Sequence, residues 1–121
     1  MSYDIQFGVK VAGAAPDTYA VVGEPEYDSP TYNLGRMFRA CTGWDYTQGE
    51  WYQMDEVMPK IEHGLHELRF NAKEYKQYEP DNGWGTIGSA INCLQSIVDW
   101  FTDPYGSRDD AIPLSCYYMR W

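Results

Sequence analysis

Apolar residues first recur with a period of two: Ile5, Phe7, Val9 and Val11 alternate with Gln6, Gly8 and Lys10. That spacing predicts a strand with one buried face over residues 3–11. Ala12-Gly13-Ala14-Ala15-Pro16-Asp17 reads as a small-residue turn, and residues 18–22 return as a second, antiparallel strand. An isolated hairpin is marginal in water, so a third strand or a covering helix is required. The closing segment supplies it, with Leu114, Cys116 and Tyr118 pointing one way and Tyr117, Met119 and Trp121 the other. Both faces are apolar, so one is expected to meet helices and the other an oligomer partner or a loop.

The helical period governs the middle of the chain. Leu34, Met37, Phe38 and Cys41 fall at i, i+3, i+4 and i+7, a core stripe on a first helix entered from Thr31 or Asn33. Ile61, Leu65 and Leu68 line a second helix that begins between Asp55 and Met58, its acidic residues near the positive end and Pro59 in or near the first turn. Asn71-Ala72-Lys73-Glu74 has the form of a capping box with Asn in place of Ser or Thr, which predicts a short helix over residues 72–78 ended by Pro80. Asn82-Gly83 then makes a tight turn and Gly85 a second reversal. Thr86 is the expected N-cap of a fourth helix carrying Ile87, Ala90, Ile91, Leu94, Ile97, Val98 and Phe101, which stops near Thr102 because Pro104 cannot continue it. Residues 23–30 and 103–110 are polar loops. The fold class expected is α+β: one domain over residues 1–121, a small antiparallel sheet (N-terminal hairpin plus C-terminal strand) packed against three to four helices.

Composition narrows the function. At 121 residues one core suffices without disulfides or metal. Cys41, Cys93 and Cys116 form no close pair and no zinc-like spacing, and read as reduced thiols. Met1-Ser2-Tyr3-Asp4 lacks a basic, apolar leader, and no run approaches the length that crosses a bilayer, so a cytoplasmic protein without membrane contact is expected. A net charge of -9 argues against wrapping nucleic acid, which needs clustered Lys and Arg. The 11 Tyr and 5 Trp exceed the need of so small a core and favour a recognition surface.

Two groups of residues carry candidate chemistry. Tyr32, Arg36 and Arg39 share a face of the first helix with Asn33 beside it, where the arginines either balance nearby carboxylates or, as paired guanidinium groups, hold phosphate or carboxylate. Trp84, set between glycines, either plugs the mouth of the fourth helix or joins those residues around a ligand. The aperiodic stretch 42–53 holds Trp44, Tyr46, Trp51 and Tyr52, which either fold over the sheet as a lid or stand exposed against a protein partner. His63 and His66 lie at i, i+3 beside Glu62 and Glu67, a spacing that differs from the i, i+4 pair of catalytic zinc helices. No catalytic residue, cofactor or metal set is expected, because neither a phosphate loop nor a nucleophile elbow nor a Cys–His pair is present. A binding protein fits better than an enzyme. The closing Tyr-Tyr-Met-Arg-Trp could also pair two copies across a two-fold axis.

Thr31-Tyr32-Asn33, Met37-Phe38, Glu74-Tyr75-Lys76 to Tyr78, and Asp81-Asn82-Gly83-Trp84-Gly85 before a helix together resemble a family of small uncharacterised proteins found in bacteriophages and bacterial mobile elements. The resemblance spans roughly residues 31–101 apart from the aromatic loop 44–52, and its most specific part is the Asn-Gly-Trp-Gly turn. It implies a non-enzymatic protein acting in the host cytoplasm against a defence system. Such a protein would sequester a small anionic, nucleotide-like messenger or occupy a host protein.

Overall fold

The structure is a computed structural model in which residues 4–16, 18–25, 34–80, 85–103 and 108–121 are described. Strands β1 (Gln6–Lys10) and β2 (Tyr19–Gly23) form the expected hairpin. Helix α1 (Gly35–Thr42) follows, then a loop leading to the two-residue strand β3 (Tyr52–Gln53) and the long helix α2 (Met54–Phe70). A short helix α3 (Ala72–Tyr75) tightens into a 3-10 turn over Lys76–Tyr78, helix α4 runs Ile87–Thr102, and β4 (Tyr117–Arg120) closes the fold. The α+β class holds: the sheet is antiparallel, in the order β2-β1-β4-β3.

The core lies between one face of the sheet and helices α1, α2 and α4. From β1 come Ile5 and Phe7, and from β4 Tyr117, Met119 and Trp121, all buried. The α1 stripe of Leu34, Met37, Phe38 and Cys41 faces them, as do Ile61, Leu65 and Leu68 of α2 and Ala90, Leu94, Ile97 and Phe101 of α4. Trp100, which the stripe did not include, packs on Phe7 with ring centroids 4.7 Å apart and takes the space where a side chain on Gly23 would stand. Helix α2 is central, meeting α1 and α4. At the crossing Gly64 has no room for a side chain, since a Cβ there would lie 2.6 Å from Thr42 Cγ2.

Local chemistry explains the boundaries. Thr86 caps α4 as expected, its hydroxyl accepting from Ser89 N at 3.1 Å. Gly43 ends α1 at φ 67°, a left-handed conformation that costs glycine nothing, and its N–H returns to Arg39 O. The capping box at Asn71 is corrected. Asn71 Nδ2 donates to the Glu67 carboxylate at 2.8 Å, a charge-assisted bond that holds the side chain against α2, and it makes no side-chain cap bond to the next turn. Strand β4 is flanked by β1 along its length and by β3 over Tyr118 and Met119. The residues 114–116 that precede it form a 3-10 turn rather than strand.

Replacing Gly64 with alanine is expected to lower the urea midpoint. Overpacking of about 1–3 kcal/mol exceeds the roughly 1 kcal/mol of helix propensity regained. An unchanged or raised midpoint would show that the three helices separate without strain.

Candidate functional site

The aromatic loop after α1 is organised around Trp121 rather than around solvent. Once Gly43 reverses the chain, Trp44 stacks on Trp121 at 5.6 Å between ring centroids and Tyr46 lies 4.5 Å from it. Phe38 covers Trp121 from α1 at 5.0 Å. Trp44 is 7% exposed and Tyr46 2%, so of the two readings, folded inward or exposed to a partner, the exposed one is corrected for these two rings. The reason is that rings bury rings: the loop supplies core that the short helices leave open. Tyr52 is half-buried, its hydroxyl accepting from Thr47 N at 2.8 Å and donating to Glu50 Oε2 at 3.3 Å.

The expected α1 pocket is only partly visible. Tyr32, Asn33 and Trp84 lie outside the described residues, as does the Asn82-Gly83 turn. Arg36 is exposed, its guanidinium carbon 5.7 Å from the centre of the Tyr78 ring. Arg39 turns the other way, lying 4.2 Å above the Tyr46 ring, donating to Tyr46 O at 3.4 Å and approaching Asp45 at 3.7 Å. The two arginines are thus engaged by different rings, and Arg39 serves the loop that it pins.

The second face of the sheet presents a different group. In an antiparallel ladder opposed residues share a face, so the pairs Lys10–Tyr19, Gly8–Tyr118 and Gln6–Arg120 all lie on the side away from the helices. Trp51, one residue before β3, closes over this side. Its ring comes so near Gly8 that a Cβ there would sit 2.8 Å from Cη2 and Cζ3. Tyr19 stacks on Trp51 with centroids 4.9 Å apart and planes 18° from parallel, and Tyr118 meets Tyr19 edge-on at 4.9 Å. Lys10 Nζ hangs 5.4 Å from the Tyr118 ring centre, and the Arg120 guanidinium carbon 4.7 Å from that of Trp51.

Arg120 also donates through Nη2 to Gln6 Oε1. It borders an open cleft of about 240 Å³ lined by Asp4, Gln6, Gln48, Gly49, Arg120 and Trp121. Among the described residues neither Lys10 nor Arg120 forms an ion pair, in a chain with 18 acidic and 9 basic residues. Tyr19, Tyr118, Lys10 and Arg120 were not singled out from the sequence. The alternation in residues 6–10 held the signal, but only the strand order brings these four side chains beside Trp51.

His63 and His66 are exposed, and no group of three or more metal-ligating side chains occurs among the described residues. Burial pushes the Cys41 thiol up to about 12, which keeps it protonated and inert. Cys93 is also buried and Cys116 exposed. Glu67 accepts from Asn71 and from the Tyr75 hydroxyl at 3.1 Å, with His63 Nε2 at 3.9 Å, and so ties α3 to α2. No family model, curated protein or solved structure matches the chain.

The Asn71 hydrogen bond, and then that of Tyr75 and the two histidine charges, hold the Glu67 carboxyl below its ordinary value of 4.5. A lowered folded value means that the contribution is present above pH 4.5 and is lost as pH falls through the folded value. Comparing urea midpoints of the parent chain and Glu67→Gln across pH should therefore show a gap at neutral pH that closes in acid. A gap independent of pH would remove the carboxylate from the α2–α3 tie.

Proposed function

We propose that the chain is a small-ligand-binding protein whose binding surface is the open face of the sheet, and that its ligand is a nucleotide-like or sugar-phosphate anion. The observation that carries this reading is Arg120, braced over Trp51 and bonded to Gln6 at the edge of the cleft, with no carboxylate paired to it among the described residues. A guanidinium supported on an aromatic face can turn its remaining N–H groups toward phosphate or carboxylate. Lys10 adds a second positive charge on the same face.

Asp4 on the cleft wall sharpens the choice of ligand. A carboxylate there repels a bare anion but accepts from hydroxyl groups, as acidic residues do from ribose. Gln6 and Gln48 offer both donor and acceptor. The set suits a molecule with an anionic group at one end and hydroxyl or amide donors beside it. A net charge of -9 discriminates further, since a polyanion is repelled over its whole length while a small anion needs only the local field. In the bacteriophage setting that the resemblance implies, the ligand would be a nucleotide messenger of host defence and the protein its sponge. A docking surface built from Trp44, Tyr46, Trp51 and Tyr52 is less well supported, because Trp44 and Tyr46 are core.

Thermal unfolding with a panel of nucleoside monophosphates, cyclic nucleotides and ADP-ribose-type compounds tests the proposal. A ligand at about a hundred times its Kd adds roughly 2.7 kcal/mol. That gain should vanish in Arg120→Ala and persist in Arg36→Ala. No shift with any compound, or a shift lost in Arg36→Ala and kept in Arg120→Ala, would overturn it.

A further inference from the structure

Gly8 stands in the middle of β1 without a positive φ that would call for glycine. Glycine inside a strand weakens it and marks a place where another group comes close. Here that group is the Trp51 ring: a Cβ on Gly8 would lie 2.8 Å from Cη2 and Cζ3, nearer than the 3.0 Å to Ala20 O across the ladder. The indole therefore stands edge-down on Gly8. Tyr19 pairs with Lys10 and Arg120 with Gln6, two residues to either side of Gly8 along β1, so they reach the ring from opposite sides. Tyr19 stacks on it at 4.9 Å between centroids, and the Arg120 guanidinium carbon lies 4.7 Å from the ring centre. Tyr19, Trp51 and Arg120 form one stack, and Gly8 is its floor.

We propose that Gly8 is a positioning residue of the open-face site: by admitting Trp51 it fixes the plane of the Arg120 guanidinium, which the bond to Gln6 then holds in rotation. The use of this device rests on the anion-binding reading of Arg120. A free surface arginine gives up rotamer freedom when it takes hold of an anion, whereas a stacked one has given it up beforehand. A guanidinium held in one plane also favours an oxyanion, engaged through more than one oxygen, over a spherical halide. A side chain at position 8 displaces the ring and frees Arg120 while leaving its charge in place.

NMR of the Arg120 Nε–Hε group in the full chain, with and without inorganic phosphate, tests this. In the parent the signal should be ordered and shifted by the ring current of Trp51. In Gly8→Ala and in Trp51→Ala it should move to the position and mobility of a free arginine, with phosphate affinity lowered roughly two- to tenfold. Gly8→Ala should add nothing once Trp51→Ala is present. Should Gly8→Ala alone fail to fold, Trp51→Ala must restore folding, because it removes the ring that the new methyl meets, and Trp51→Ala alone must release Arg120. An Arg120 that is mobile in the parent, or that either substitution leaves ordered, overturns the proposal. So does damage from Gly8→Ala that persists at full size without Trp51, which would place the need for glycine at Ala20 O. An Arg120 that both substitutions release but that phosphate never shifts upholds the positioning and overturns the anion-binding reading instead.

Discussion

The position of β4 between β1 and β3 is the constraint from which the rest of the molecule follows. Pairing with β1 places Tyr117 and Met119 on one side of the sheet and Tyr118 and Arg120 on the other. The first set, with Trp121, completes the core under the helices. The second set meets Trp51, Tyr19 and Lys10 on the open face. A slip of one residue in this ladder would exchange the two sets, placing Arg120 in the core and Trp121 outside. The core and the candidate site are therefore two readings of one register.

Trp121 fixes that register from the inside. Its ring is covered by Phe38, Trp44 and Tyr46, and its carbonyl accepts from Gly49 N at 2.6 Å. The loop between α1 and β3 thus folds around the end of β4 and delivers Trp51 to the opposite face. Aromatic pairs at 4.5–7 Å add roughly 0.5–1.5 kcal/mol each beyond the area they bury. A cluster of this size holds a loop that has no regular structure of its own.

Elements with local causes were legible in the sequence, and those with distant causes were not. The α4 boundary follows from Thr86 and the apolar stripe behind it, both within one turn or one face. The same holds for the buried faces of α1 and α2 and for the hairpin. The loop over residues 43–51 has no period because its partner, Trp121, is about seventy residues away along the chain. Trp44 and Tyr46, packed on Trp121, serve as core without a regular element to carry them. Likewise the arginines of α1 were visible as a pair, while Arg120 and Lys10 became neighbours of one aromatic group only through the sheet order.

The claim that Trp121 locks β4 and the aromatic loop together is tested most directly by the equilibrium stability of Trp121→Ala in urea. Loss of a buried Trp at the centre of such a cluster should lower stability by about 3–5 kcal/mol. It should also strip the near-UV signal of the ordered rings. A change within roughly 0.5 kcal/mol, the range of an ordinary surface substitution, with the near-UV spectrum retained, would contradict the account.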